Sequence, residues 1–394
     1  MTFSRRQWLT GVGAALVVGC ASNRRPVVSA NMIIATYNTS LYGSRDGELI
    51  ERLRSGDEAA RSIAQVLRQV RPDIVLLNEF DYDPAGTAAR LFSAYLMDPG
   101  LAGEPLHYGH RFTAAVNTGV PSGLDLDGDG RSEGPQDCWG YGLHPGQYGM
   151  LLLSRFPIDT GRVRSFRQFR WAAMPGARRP HWPDGRPYHS DAIWAQLRLS
   201  SKSHWDVPVQ TPLGEVHVLA SHPTPPVFDG PEDRNGQRNH DEIRLWTDYL
   251  TPGGGDYLID DQGRRGGLTA GAHHVVLGDL NADPFDGDSR EGIAGLLAVP
   301  SLQSDFLPRS AGGRLAAERD GGANARHRGD PAADTGAFGA DPGPGNMRVD
   351  YVLPSRGLPI EDGGVYWPAP GQTGADWIEA SDHRLVWVRV GQVT

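Results

Sequence analysis

Asp73-Ile74-Val75-Leu76-Leu77-Asn78-Glu79 reads as a buried strand that runs straight into an amide and a carboxylate. Its apolar run is short and bounded, as a strand inside a sheet should be. Working back along the chain, Asp57 to Val70 carries Ala60, Ile63, Ala64, Leu67 and Val70 at helical spacing, and Arg71-Pro72 ends it. Before that, Met32-Ile33-Ile34-Ala35-Thr36-Tyr37 is another β-prone run. Strand–helix–strand is the opening of a layered α/β fold.

Working forward, strands are predicted at Met150–Leu153, Ile193–Leu199, Val216–Ala220, His274–Leu277, Val349–Leu353 and Leu385–Val390, with a helix over Asn239–Leu250. The 394 residues include 51 glycines and 30 prolines, so short elements joined by many loops are expected. A hydrophobic content of 39% suffices for a substantial core. No internal repeat and no interdomain linker stands out. The reading is one domain over residues 31–394, with loop-like insertions at about 103–147 and 309–346.

The same punctuation recurs at the other strands. Asn38 follows the first run, His222 follows Val216–Ser221, and Asp279 and Asn281 follow Val275-Val276-Leu277-Gly278. Asp382-His383 precede the last run, and Asp350 lies at the start of its own. One strand ending in a carboxylate is ordinarily a turn or a cap. Six such positions, all with metal-ligating or acid–base side chains, point to a shared site.

In order, Ala35-Thr36-Tyr37-Asn38, the stretch from Asp73 to Glu79, Gly149–Ile158, Gly278-Asp279-Leu280-Asn281-Ala282, Arg348-Val349-Asp350-Tyr351 and Ser381-Asp382-His383 resemble the successive signatures of the endonuclease/exonuclease/phosphatase superfamily, a group of metal-dependent phosphoesterases. The resemblance covers residues 32 to 390. It implies a four-layered α/β/β/α sandwich, with two mixed β-sheets face to face and helices outside, and a catalytic Mg²⁺ or Mn²⁺. It also implies roles. Glu79 matches the principal metal carboxylate, with Asn38 beside it and Asp382 as a further carboxylate near the metal. Asp279 matches the residue that orients or deprotonates the attacking water, and Asn281 the one that holds the phosphate. Asp350 matches the carboxylate partner of His383, and His222 a histidine that contacts the phosphate or leaving group.

Phosphoester cleavage needs those residue types on physical grounds as well. It requires an in-line water, neutralisation of charge on the non-bridging oxygens, and help for the departing alkoxide. A hard, oxygen-ligated cation supplies the second and often the third. An Asp350–His383 hydrogen bond would keep the imidazole protonated and able to stabilise an anionic transition state.

The N-terminus carries a different message. Ser4-Arg5-Arg6-Gln7-Trp8-Leu9 and the weakly apolar run to Gly19 resemble a twin-arginine export signal, and Val17-Val18-Gly19-Cys20 resembles a lipoprotein cleavage box. The expectation is a signal peptide over 1–19, lipidation of Cys20, a tether over 20–30, and export to the outer face of a bacterial membrane or secretion. A plain signal peptide and a short uncleaved anchor are the alternatives. Loss of Arg5 and Arg6 moves the formal charge from −9 to about −11. Cys138 is then alone, so no internal disulfide is expected. The acidic balance argues against indiscriminate nucleic-acid binding. The only membrane association expected is through the lipid, and no obligate protein partner is predicted.

Three further stretches bear on substrate. Asp125-Leu126-Asp127-Gly128-Asp129-Gly130 has the D-x-D-x-D-G start of a calcium loop, yet position twelve is Gln136 rather than a bidentate Glu. It is either a structural Ca²⁺ site on Asp125, Asp127 and Asp129 or an Asp/Gly turn cluster. Ser201-Lys202-Ser203-His204-Trp205-Asp206 is either a substrate clamp, with Lys202 and His204 in contact, or a surface hairpin with Trp205 partly buried. Arg234 and Arg238 either reach phosphate oxygens or are solvated residues ahead of a helix capped by Asn239.

The motifs hold a phosphate and leave the rest of the substrate open. The leading expectation is an exported phosphodiesterase of nuclease-like type acting on a nucleic acid or small phosphorylated molecule. The alternatives are a phosphomonoesterase for a small metabolite or phospholipid headgroup, and a surface-tethered binding module without catalysis.

Overall fold

Strands that are apolar on both sides need cover on both sides, and two stacked sheets with helices outside provide it. The computed structural model describes residues 31–339 and 341–391; the expected signal peptide, Cys20 and the tether lie outside them. The strands are β1 (Met32–Leu41), β2 (Ile74–Phe80), β3 (His110–Phe112), β4 (Met150–Ser154), β5 (Arg164–Ser165), β6 (His204–Thr211), β7 (Gly214–Ser221), β8 (His273–Asp279), β9 (Gly336–Ala337), β10 (Asn346–Met347), β11 (Asp350–Pro354), β12 (Ile360–Val365) and β13 (Val386–Val390). The helices are α1 (Glu48–Ser55), α2 (Glu58–Val70), α3 (Thr87–Met97), α4 (Asp191–Trp194), α5 (Arg234–Leu250), α6 (Arg290–Leu297) and α7 (Ala311–Asp320).

One sheet has six strands in the order β12-β13-β1-β2-β4-β3, and the other has five in the order β11-β8-β7-β6-β5. Alternate residues divide between layers. Ile34, Ile74, Leu76, Met150 and Leu152 face Val218, Ala220, Val275 and Leu277 between the sheets. Ala35, Tyr37, Val75 and Leu77 face outward onto α2 and α3 through Ile63, Leu67 and Phe92. Leu219, Val276 and Leu353 pack on Ile243 and Trp246 of α5 and Ile293 of α6. This is the four-layered α/β/β/α sandwich with two mixed sheets.

Each sheet holds one parallel pair, β1 with β2 and β7 with β8. Parallel strands end together, and an antiparallel neighbour begins where they end. Thus the C-terminal ends of β1, β2, β7 and β8 gather with the starts of β11 and β13. All six punctuated positions therefore reach one end of the sandwich.

The structure departs from expectation in several places. Ile193–Leu199 is no strand: Ser190 Oγ accepts from Ile193 N and starts the short helix α4. The place beside β7 belongs to β6, whose Pro208 lies beyond the two residues that pair with β5. Helix α5 begins at Arg234, so Asn239 is buried inside it rather than capping it. The 309–346 insertion is also more structured than expected, with α7, short 3-10 turns and the β9–β10 pair.

Candidate active site

Asp279 ends β8, directly opposite Asp350 at the start of β11. The residue before it, Gly278, sits at φ 147°, and a Cβ there would lie 2.0 Å from the Ser221 carbonyl oxygen, so glycine permits β7 and β8 to stay together. Asp279 Oδ2 accepts from Asn38 Nδ2 at 3.0 Å, which joins the end of β1 in one sheet to the end of β8 in the other. Its other close neighbours are His222 Nε2 at 3.3 Å and His383 Nε2 at 3.6 Å. His383 Nδ1 in turn meets Asp350 Oδ2 at 2.9 Å. Asp279, Asp350, His222, His383 and Asn38 are all buried.

The electrostatics follow from that packing. Burial alone would raise Asp279, but His383 and then His222 hold its carboxyl far below the usual range, so it is ionised. Burial would lower His383, but Asp350 and Asp279 outweigh it and push the imidazole up to about 10. His222 is pushed down to about 4, chiefly by burial and next by Lys202, and its Nδ1 is buried without a hydrogen-bond partner. Neighbouring imidazoles are thus kept in opposite charge states.

Glu79 stands at the end of β2 with φ 55°, and Asn281 follows Asp279 with φ 50°. Both are non-glycine residues in the left-handed region, a conformation that recurs at functional sites. Burial pushes the Glu79 carboxyl up to about 7 against the counter-pull of His383 and Asn38. Glu79 and Asp382 line one wall of a cleft of about 620 Å³, and Ser40 Oγ donates to Asp382 Oδ1 at 3.4 Å. The oxygen donors Glu79, Asp382 and Asn38 Oδ1 fit a hard divalent cation, which would relieve the poorly compensated Glu79 anion. Asp279, Asp350 and His383 also place one ligand-type atom each within 4.8 Å of one another. An imidazole held protonated cannot donate a lone pair, so that trio is better read as a hydrogen-bonded relay.

The expected substrate contacts separate. Lys202 is buried and lines the cleft, with Nζ 3.4 Å from the Pro223 carbonyl oxygen. Asn281 Nδ2 donates to the same carbonyl at 3.1 Å, so its amide nitrogen is engaged by protein. His204 is no substrate contact. It is fully buried beside Trp246, with Nδ1 2.7 Å from Ser200 Oγ and Nε2 2.8 Å from the Glu242 carbonyl. Trp205 next to it is fully buried, not part of a surface hairpin. Arg234 and Arg238 both line the cleft from the first turns of α5, Arg234 paired with Glu232.

The acidic loop also differs from expectation. Carboxylate oxygens of Asp125 and Asp127 come together with one from Asp137, within 4.8 Å of one another. Asp129 is not in that group; its Oδ1 accepts from Arg131 N at 2.8 Å. Asp125 is already held by the backbone N–H groups of Gly128 and Gly130.

Several positioning residues escaped sequence reading. Asn78 Oδ1 accepts from Asp279 N at 3.2 Å, and its Nδ2 donates to the Ser221 carbonyl at 3.4 Å, tying β2 to β8 and β7. Its place in the inter-sheet row after Ile74 and Leu76 was the available signal. Thr335, in the 309–346 insertion, donates to Asp350 Oδ2 at 2.8 Å, and Ser381 Oγ donates to the Asn38 carbonyl at 2.8 Å. Glu242 of α5 accepts from Ser201 N and Thr224 N, both at 2.6 Å, and so anchors the two segments that carry Lys202 and His222.

With this geometry in place, comparison with known proteins is informative. The sequence profile of the Endonuclease/Exonuclease/phosphatase family matches residues 35–383. The chain belongs to that family. Endonuclease/Exonuclease/phosphatase members are divalent-metal-dependent phosphoester hydrolases, and the matched span runs across every candidate site residue from Asn38 to His383. Among solved structures, the chain is similar to an endonuclease/exonuclease/phosphatase from Beutenbergia cavernae, at 19% identity over 92% of this chain and 72% of that one, TM-score 0.49. It is also similar to sphingomyelinase C from Streptomyces griseocarneus, at 17% identity over 92% of this chain and 100% of that one, TM-score 0.45. A family protein from Bacteroides thetaiotaomicron aligns at 13% identity over 93% and 99%, TM-score 0.45. No curated protein matches the sequence.

Proposed function

We propose that this protein is an exported, divalent-cation-dependent phosphoester hydrolase of phosphodiesterase type, acting by in-line attack of water. The observation that carries the reading is the ionised Asp279 carboxylate ringed by Asn38, His222 and the His383–Asp350 pair, next to a cleft that His222, Glu79 and Asp382 line. A divalent cation on Glu79, Asn38 and Asp382 would neutralise charge on the phosphate oxygens. Asp279, kept ionised by the two imidazoles, would orient the attacking water and take up its proton. His383, kept protonated by Asp350, donates toward the charge that grows on phosphate in the transition state.

A cleft of about 620 Å³ falls within the range of small-molecule sites, which favours a small phosphoester over a long polymer. A phosphomonoesterase is the second reading on the same ground. The test is a panel of aryl phosphodiesters, phosphomonoesters, phospholipids, DNA and RNA with purified protein, each with Mg²⁺, Mn²⁺, Ca²⁺ or chelator. Diester cleavage that chelator abolishes is expected; turnover indifferent to chelator overturns the mechanism. The export reading rests on Arg5, Arg6 and Cys20 in the sequence. Among the described residues no helix is long and apolar enough to cross a membrane. Failure of Cys20 to take up labelled fatty acid in the native host would sink the lipoprotein reading.

A further inference from the structure

The cleft carries more positive charge than the phosphoester reaction uses. Lys202, Arg198 and Arg238 line the same cavity as Glu79 and His222. Arg238 donates only to backbone carbonyls, those of Leu199 at 2.9 Å, Trp139 at 2.6 Å and Arg198 at 3.0 Å. Arg198 donates to Asn117 Oδ1 at 2.7 Å and lies 4.7 Å over the Trp139 ring. Among the described residues none of the three has a carboxylate within 4.0 Å. Arg68 and Arg384 are also held by carbonyls alone, but neither lines the cleft. Here three cations without a direct carboxylate contact line one cavity, where burial opposes the charge on each and Arg238 opposes Lys202, while Glu242 favours the charge on both of those.

His189 on the same wall is pushed down to about 4, first by burial and then by Arg238, Arg234 and Arg179. Arg234 is neutralised by Glu232, and the carboxylates of Asp127, Glu79 and Asp382 also line the cavity. Lys202 connects this wall to the reaction centre, since the Pro223 carbonyl that it reaches also takes the Asn281 amide.

We propose that Arg198, Arg238 and Lys202 form a subsite for a second anionic group, so that the substrate is a small phosphoester bearing a carboxylate or a further phosphate beside the scissile one. This rests on the phosphoesterase reading above and narrows it. Guanidinium groups held by neutral partners keep their geometry while leaving their charge for a ligand; Arg198, bonded through one terminal nitrogen, keeps its Nε edge for a forked contact, whereas Arg238 offers its one unengaged terminal nitrogen. A quaternary-ammonium leaving group would meet repulsion from the same wall.

Two measurements on the full chain separate this proposal from the reading beneath it. The first titrates inorganic phosphate and malonate into protein kept in chelator, followed by the fluorescence of Trp139 and Trp171. Both anions should bind, and Arg198→Gln and Arg238→Lys should each weaken binding by about tenfold or more, as for loss of a charge-assisted pair. Arg54→Gln, on the exposed face of α1, should bind as the parent does. Arg238 ties three carbonyls together, so if its variant does not fold, Arg198→Gln alone decides. The second compares kcat/KM for bis(4-nitrophenyl) phosphate with diesters that carry an added carboxylate or an added phosphate on the leaving group. The parent should prefer one of the charged diesters by about tenfold, which also says which anion is meant, and Arg198→Gln should erode that preference. Absent anion binding, or binding insensitive to both substitutions, overturns the subsite. Anion binding retained with no phosphoester turned over under any cation counts against the phosphoesterase reading and leaves the subsite standing.

Discussion

Asp279 takes a hydrogen bond from Asn38 and has two imidazoles within 3.6 Å, one kept neutral and the other kept charged. A carboxylate in that setting works through position, and removing its charge should cost more than removing its shape. Asp279→Asn keeps the size and loses the charge and one of two acceptor oxygens; kcat should fall by about 10²-fold or more, with the far-ultraviolet spectrum unchanged. His383→Ala should cost a similar factor. Near-parental kcat in either purified variant would remove that residue from the mechanism. His204 makes the contrasting case. Burial pushes it down to about 4 from an ordinary 6.5. The unfolded chain therefore takes up the proton first as pH falls, and the stability present above about pH 6.5 is lost toward pH 4, on the order of 3 kcal/mol. His204→Gln should make the decline of the urea midpoint between those pH values shallower by about one proton, while KM stays near the parental value. An unchanged slope would show that His204 is not held neutral.

Helix α5 packs on the outer face of the five-stranded sheet and also reaches the site. Asn239 Nδ2 donates to the Thr224 carbonyl and the Leu280 carbonyl, each at 2.9 Å, so one amide holds the segment after His222 beside the turn after Asp279. Asn239→Ala should cost about 1–3 kcal/mol of stability, the price of leaving buried carbonyls unpaired. It should also lower kcat more than it raises KM, because the turn carrying Asp279 loses its anchor. Parental stability and kcat together would refute that role. The 309–346 insertion acts likewise on the other side, where Arg384 N donates to the Thr335 carbonyl and Ala337 N to the Asp382 carbonyl. It fastens the segment that carries Asp382 and His383.

For the molecule as a whole, the proposed cation ligands are brought together only by the pairing of distant strands. Asn38 and Glu79 lie at the ends of β1 and β2, and Asp382 lies just before β13, three neighbouring strands of the six-stranded sheet. Binding of Mg²⁺ or Mn²⁺ should therefore stabilise the fold. At free cation roughly a hundred times its Kd the gain is about 2.7 kcal/mol, read as a rise in Tm. Glu79→Ala should abolish that rise together with the cation dependence of turnover. A Tm unmoved by saturating cation in the parent would argue that Glu79, Asn38 and Asp382 hold no metal.

Local pattern was enough for much of this protein. Ile74–Leu77 and Val275–Leu277 declare buried strands because both faces must be apolar, and Asp57 with the 60-63-64-67 spacing declares α2. Asn38, Glu79, Asp279, Asp350 and His383 were legible because each stands at a strand boundary, where an apolar run meets a polar side chain. Contacts between distant segments left no such trace. His204 looked like a substrate contact beside Lys202, yet β6 is covered on both faces and His204 lies under α5 against Trp246. Asp137 joins Asp125 and Asp127 while Asp129, the closer match in sequence, turns away. The cluster of Arg198 and Arg238 exists only because the segment before β6 folds across the first turns of α5. Strand and helix periodicity are local in the chain, whereas the pairing of charges and the shape of a cavity depend on which segments are brought together, and that is settled by packing.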